Sequence, residues 1–182
     1  MTAEPADLPE EEVLWSGQWI TAKRRGKWEY VSRARGIRAA VIMPLDGDHV
    51  ILVEQFRVPL GKRCLELPAG LIGDDAGAED EDPLAAAKRE LVEETGYSAA
   101  TWRDAGAYFS SPGMTSESFT LLVASDLAKV ADGGGIEGED IVVHRVPLAD
   151  LPQRITKFRE AGLAIDVKLL LLLGSSLIGE LS

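Results

Sequence analysis

A chain of 182 residues, 46% of them hydrophobic, is long enough to bury one good core and too short to require two large ones. Its 30 acidic residues outnumber 19 Lys and Arg, and the net charge of −11 argues against a nucleic-acid polymer or an anionic membrane as partner unless a local basic patch intervenes. A small phosphorylated ligand remains compatible, because divalent cations held by carboxylates invert the local charge.

Residues 1–12 are acidic and contain proline, with neither the basic nor the apolar stretch of a secretory leader, so the expected location is the cytoplasm. The single cysteine, Cys64, excludes an internal disulfide framework, fits a reducing compartment and reads as a buried small hydrophobe.

Over residues 13–33, aromatic and β-branched residues alternate with polar ones around Arg25-Gly26, which predicts an antiparallel hairpin containing Trp15, Trp19 and Trp28. Two buried strands follow, 37–44 and 49–57, joined at Asp46-Gly47. After a strand end near Leu65 come a Pro68-Ala69-Gly70 turn and an acidic, glycine-containing loop. A helix is expected from Pro83, with Asp82 as its cap, to Thr95, stopped by Gly96 and carrying Leu84, Ala87 and Leu91 as an apolar stripe.

Strands are then expected at 102–109, 118–124 and 141–146, with a polar glycine-rich loop at 132–140. Helices are expected at 152–161 and 167–177. The leucine run 169–173 is far short of the roughly 20 apolar residues of a membrane span and reads as a core-facing helix. Periodicity alone supports a mixed α/β fold with neither repeats nor a linker.

The chemistry concentrates in Arg89-Glu90-Leu91-Val92-Glu93-Glu94-Thr95-Gly96-Tyr97. Glu90, Glu93 and Glu94 stand three and four apart on one helix, so all three can reach toward one point. Like charges at this spacing destabilise an isolated helix, so the pattern is either a solvated acidic face or a site for a hard cation such as Mg²⁺, which takes carboxylate oxygens and bridges to phosphate. Arg89 can pair with a neighbouring glutamate and orient it, and Gly70 lets backbone approach. The acidic residues of 74–82 do not follow the spacing of a calcium-binding EF-hand loop.

These residues resemble the Nudix box, G-x5-E-x7-R-E-U-x-E-E-x-G-U, with U aliphatic or aromatic. Arg89, Glu90, Leu91, Glu93, Glu94, Gly96 and Tyr97 match, and Glu81 supplies the upstream glutamate. The chain departs at position 75, where the pattern's glycine is Asp75. The glycine in the right context is Gly70, which makes the intervening loop five residues longer than the pattern. Loop length costs only about 0.6 kcal/mol per doubling, so the insertion is tolerable and the helix keeps its spacing.

The resemblance spans roughly Trp15 to Leu177 and points to the ADP-ribose pyrophosphatase branch. It implies an α/β/α sandwich built on a mixed sheet, preceded by a small antiparallel β region. The implied division is a flexible acidic tail at 1–12, a hairpin dimerisation region at 13–35 and the Nudix hydrolase domain at 36–182.

The resemblance also implies Mg²⁺, with Mn²⁺ as substitute, held by Glu90, Glu94, Glu93, the Ala69 carbonyl and Glu139. Glu137 would be the general base, with Glu137 and Glu139 able to exchange roles, and Glu93 and Arg89 would act beside it. Pro112 lies fifteen residues beyond Tyr97, as that branch requires, and 111–117 resembles its substrate loop, with Met114 and Glu117 as candidate contacts. An ordinary Pro-Gly turn would also explain this loop.

Arg57 would meet substrate phosphate or ribose, a role its bidentate fork suits, although alone it reads as a surface salt-bridge partner. Trp19 and Trp28 would sandwich a base in a hairpin exchanged within a homodimer, or else only pack the dimer core. The expected reaction is hydrolysis of a nucleoside diphosphate sugar, ADP-ribose foremost, to AMP and ribose 5-phosphate. GDP-mannose or a dinucleotide is the nearest alternative, and a hydrolytically silent nucleotide-binding regulator is the other.

Overall fold

The computed structural model describes residues 8–73, 81–136 and 138–179. Near the N-terminus the strands β1 (Glu11–Ser16), β2 (Ile20–Arg25) and β3 (Trp28–Arg33) form a separate antiparallel sheet. The expected hairpin is therefore its β2–β3 pair, closed by Gly26-Lys27 with Gly26 at φ +60°. The further strand β1 begins inside what reads as tail, because Glu11 and Glu12 face Arg25 and Arg24 across the ladder and pair with them.

The main sheet combines β4 (Arg38–Asp46), β5 (His49–Arg57), β6 (Lys62–Glu66), β7 (Ala69–Ile72), β8 (Tyr97–Phe109), β9 (Ser118–Lys129), β10 (Val142–Pro147) and β11 (Ala164–Ile165). Its central order is β11-β6-β5-β4-β9-β8, with β10 on β5 and β7 on β4. The sheet is mixed, since β4–β9 and β11–β6 are parallel and the other pairs antiparallel. The β4–β5 turn centres on Gly47-Asp48, one residue later than expected, because the left-handed conformation falls on Gly47 and Asp46 still pairs with His49.

Helix α1 (Pro83–Thr95) covers one face, and α2 (Leu151–Glu160) with α3 (Leu170–Gly179) covers the other. Alternation along β4 assigns each residue to a layer. Ala40 and Ile42 pack with Ala86, Ala87 and Leu91 of α1, whereas Val41 packs with Leu151, Ile155, Leu169 and Leu173. Along β9, Leu122 and Ala124 face α1 while Phe119 and Leu121 face the other layer.

Helix α1 has the expected bounds, with Pro83 in its first turn and Gly96 left-handed at its end. Asp82 occupies the N-cap position, but its exposed side chain makes no capping hydrogen bond, so the start rests on Pro83 and on the Asp82 carbonyl, which accepts from the Ala86 N–H at 3.1 Å. The leucine-rich end is a short 3₁₀ turn, Val167–Leu169, followed by α3. Leu169 and Leu173, four apart, enter the core, while Leu170 and Leu171 face solvent. No helix among the described residues is long and apolar enough to cross a membrane.

Candidate active site

Burial of Leu91, Ala86 and Ala87 fixes the rotation of α1, and that rotation leaves Glu90, Glu93 and Glu94 at the edge of the helix nearest β7. One cavity of about 340 Å³ is lined by Glu90, Glu93 and Glu94 together with Arg89, Arg57, Gln55, Glu139 and the Ala69-Gly70-Leu71 strand. Residues separated by most of the chain thus meet in one place.

Gly70 is required by contact rather than by conformation. A Cβ there would lie 2.1 Å from Glu90 Cγ and 2.2 Å from Cδ, so only glycine lets the Glu90 side chain cross the strand. The Ala69 N–H donates to Glu94 Oε2 at 3.1 Å, tying the same strand to the helix. Arg89 reaches both of its glutamate neighbours, Nη1 donating to Glu90 Oε1 at 2.8 Å and to Glu93 Oε2 at 3.2 Å, with Glu81 4.0 Å away.

Burial pushes Glu94 up to about 8, with Glu90 and Glu139 adding like charge against the Ala69 N–H. Burial likewise raises Glu90 to about 6, against the pull of Arg89. Carboxylates this desolvated and this close gain most from a hard cation, and an all-oxygen set fits Mg²⁺ or Mn²⁺. Among the described residues no three acidic, His or Cys groups converge as a ready cage. Mg²⁺ fills the positions that protein oxygens leave open with water and substrate phosphate.

The loop before β10 is docked on this site by the end of α1. Gly134 N–H donates to the Glu94 carbonyl at 2.9 Å and Gly135 N–H to that of Glu93 at 3.0 Å, satisfying carbonyls the helix leaves open. Glu139 lines the cavity, its Oε2 accepting from the Ile136 N–H at 3.0 Å. Glu137 lies outside the described residues. Further along, Arg63 grips Asp140 through both its carboxylate and its carbonyl while holding Glu54.

A second cavity, about 240 Å³, adjoins the first along Arg57, Ala69, Gly70 and Leu71, and is also lined by Arg33, Glu66, Glu117 and Lys168. It leads through Arg33 and Glu117 to a third, about 320 Å³, bounded by Met114 and Ser32. Glu117 is engaged by Arg33 at 2.7 Å and by the Ser110 hydroxyl at 3.2 Å, which joins the N-terminal sheet to the 111–117 loop. Backbone bonds between Val31 and that loop complete the join.

Trp28 lines a cavity of about 640 Å³ with Tyr30, Arg25 and Pro112. Trp19 stands apart, exposed, with the Arg35 guanidinium 5.7 Å from its ring centre. Within one chain the two tryptophans therefore do not face each other across a common ligand space. Sequence reasoning missed Arg33, Glu66 and Ser32. A charge inside Leu65-Glu66-Leu67 was the available signal for Glu66, and Ser32 Oγ, buried without a hydrogen-bond partner, has no sequence signature.

The NUDIX domain family matches residues 35–164, most of the chain. The chain belongs to the Nudix family. It is 33% identical to the ADP-sugar pyrophosphatase of Mus musculus, over 87% of this chain and 81% of that protein. It is 30% identical to the GDP-mannose pyrophosphatase of Cronobacter sakazakii, over 82% and 76%. A crystal structure of an ADP compounds hydrolase superposes with a TM-score of 0.71 at 26% identity, covering 99% of this chain and 98% of that one. This Nudix chain is thus an enzyme of the hydrolase class, on the branch of the ADP-ribose and ADP-sugar pyrophosphatases.

Proposed function

We propose that this Nudix hydrolase cleaves the pyrophosphate bond of a nucleoside diphosphate sugar, with ADP-ribose as the preferred substrate and AMP and ribose 5-phosphate as products. The observation that carries the reading is the single cavity in which Glu90, Glu93 and Glu94 meet Arg57 and Arg89. The cavities leading away from it, past Arg33 and Glu117, suit an elongated ligand with chemistry in its middle.

Glu90, Glu94, Glu93, the Ala69 carbonyl and Glu139 would hold Mg²⁺, which when bound neutralises the bridging phosphates. Arg57 meets phosphate oxygens with its planar fork. Arg89 orients Glu90 and Glu93, and the docked loop brings a carboxylate, Glu137 or Glu139, to take the proton of the attacking water. Trp28, and Trp19 of a second copy, would stack the base, with Met114 and Glu117 closing the substrate side.

The reading includes a homodimer and the division at residues 12 and 35. In the N-terminal sheet Val13, Leu14, Trp15, Trp19, Ile20 and Trp28 are all exposed, and a small sheet with so much apolar surface is supported by a partner. Light scattering that gave a monomer would remove the dimer and the shared base site with it. A buried single thiol is in keeping with the cytoplasm.

The test is product analysis with Mg²⁺ and ADP-ribose, with GDP-mannose in parallel because one relative is a GDP-mannose pyrophosphatase. The doubly substituted Glu93→Gln/Glu94→Gln protein serves as control. AMP and ribose 5-phosphate from the parent alone supports the reading. Turnover of GDP-mannose alone keeps the chemistry and moves the substrate, and no turnover of either removes the ADP-ribose assignment and leaves a narrower Nudix specificity or a silent nucleotide-binding protein.

A further inference from the structure

Glu66 is a buried carboxylate that nothing above employs. It lies in β6 at 4% exposure, between Leu65 and Leu67, which are buried completely or nearly so. A charge at that depth is costly unless it is paired and hydrogen-bonded. Its partner is Arg57, whose Nε donates to Oε1 at 2.7 Å and whose Nη2 donates to Oε2 at 2.8 Å. Both oxygens are thus committed to one guanidinium.

The strand register makes this possible. Gln55 lies opposite Cys64 and Arg57 opposite Lys62, so Gln55, Arg57, Cys64 and Glu66 share a face of the β5–β6 ladder. The Arg57 side chain, at the exposed end of that face, runs back over Cys64 to reach Glu66. Gln55 and Arg57 then both line the carboxylate cavity.

A guanidinium bound through its Nε and Nη2 edge has its Nη1 edge left to offer a ligand. Arg57 borders both the cavity of Glu90 and Glu94 and the one beyond it. Of the remaining carboxylates Glu94 already acts on Arg57 through its charge and Glu90 lines the same cavity, so a guanidinium released by Glu66 and drawn onto them would compete with the metal.

We propose that Glu66 is a positioning residue: by holding the inner edge of Arg57 it keeps the guanidinium off Glu90 and Glu94 and turns the outer edge toward an anionic group bound in the cavity. This rests on the reading of the cavity as a pyrophosphate hydrolase site.

The experiment compares the parent, Glu66→Gln, Arg57→Ala and the double variant. Mn²⁺ affinity without nucleotide is measured by electron paramagnetic resonance, and affinity for the non-cleavable diphosphate α,β-methylene-ADP with Mg²⁺ by calorimetry. Glu66→Gln should weaken Mn²⁺ and the diphosphate each by about tenfold. Adding Arg57→Ala should restore Mn²⁺ affinity to within about twofold of the parent, without restoring the diphosphate. A purely structural Glu66 would not be suppressed by removing a second side chain.

Parent-like binding in Glu66→Gln, a Mn²⁺ defect that Arg57→Ala does not relieve, or a parent that binds neither probe would overturn the proposal. Should Glu66→Gln fail to fold, Glu66→Asp, which keeps the charge but draws it back by one methylene, makes the same comparison. Turnover of nucleoside diphosphate sugars is followed separately. If the parent turns over none while the Mn²⁺ pattern holds, the substrate reading falls and the positioning role stands.

Discussion

The carboxylate helix and the N-terminal sheet are both rich in charge, and they hold it in opposite ways. On α1, the buried Glu94 and the half-buried Glu90, one turn apart, are both raised above the usual carboxylate range, so the folded chain bears an electrostatic cost there. On the sheet, Glu11 and Glu12 face basic partners at the surface, and hydrogen bonds from Lys23, Tyr30 and Arg25 outweigh desolvation at Glu11. The helix sacrifices stability to concentrate negative charge at one point, which is how a catalytic site is recognised. The sheet arranges complementary charges at the surface and leaves Trp15, Trp19 and Trp28 exposed.

Removing one charge from the helix is the strongest way to break that contrast. Glu94→Gln should lower turnover by on the order of 10³-fold, since a carboxylate proposed to hold the cation is lost. The metal-free protein should melt no lower than the parent, because a desolvated like-charge contact disappears with it. Melting curves with and without Mg²⁺ check this, and the metal-induced rise in Tm should vanish. A variant that melts well below the parent yet keeps its turnover would show that Glu94 is structural.

Gly70→Ala tests the same point through space rather than charge. The added methyl meets Glu90 from Cγ through the carboxylate, with Cγ at 2.1 Å and Oε1 at 2.3 Å, so the carboxylate must move. A displacement of about 1 Å should cost on the order of 10²-fold in kcat/KM. Gly70 is not at positive φ, so the loss should appear in activity with little change in fold. A rise in KM alone would place the effect on substrate binding instead.

Leu91→Ala separates scaffold from site. Leu91 is fully buried between Glu90 and Val92 on the face packed against Ile42 and Ile72, and truncating it should cost about 2 to 5 kcal/mol in denaturant unfolding. Trp28→Ala on the exposed sheet should leave that unfolding midpoint almost unchanged. Equal losses would mean that the two regions share one core.

The helix was legible in the sequence because its information is local. Pro83 and Gly96 mark its ends, and glutamates three and four apart with Leu91 between them specify which face is wet. The Val, Ile and Ala of 37–44 and 49–57 likewise encode buried strands, and the Asp46-Gly47 pair between them places the turn one residue too early. Three things were not legible. The strand β1 forms because Glu11 and Glu12 meet Arg25 and Arg24, a pairing visible only once the hairpin exists. The strand β11 is two residues long and is defined by its parallel neighbour β6 rather than by its own composition. The Arg57–Glu66 pair is tertiary throughout, since a charged residue in an apolar strand looks like an error until its partner is found.

The smallest expected effect lies in the sheet and follows from Glu11. Hydrogen bonds from Lys23, Tyr30 and Arg25 hold its carboxyl down to about 2, from 4.5 when unpaired. A carboxyl whose folded value is depressed contributes its stabilisation fully above the unfolded value, and that contribution is lost as pH falls through the folded one. The sheet's charge network should therefore be intact above about pH 4.5 and decay between there and about pH 2. Trp15, Trp19 and Trp28 are exposed reporters on that sheet, and Trp102 sits against the helix layer, so fluorescence of a Trp102→Phe protein isolates the sheet. The acid transition of this signal should shift upward in Glu11→Gln and also in 1 M salt, which screens exposed pairs. If neither substitution nor salt moves it, the sheet is held by apolar contact with a second copy, and the contrast between the two regions narrows to burial alone.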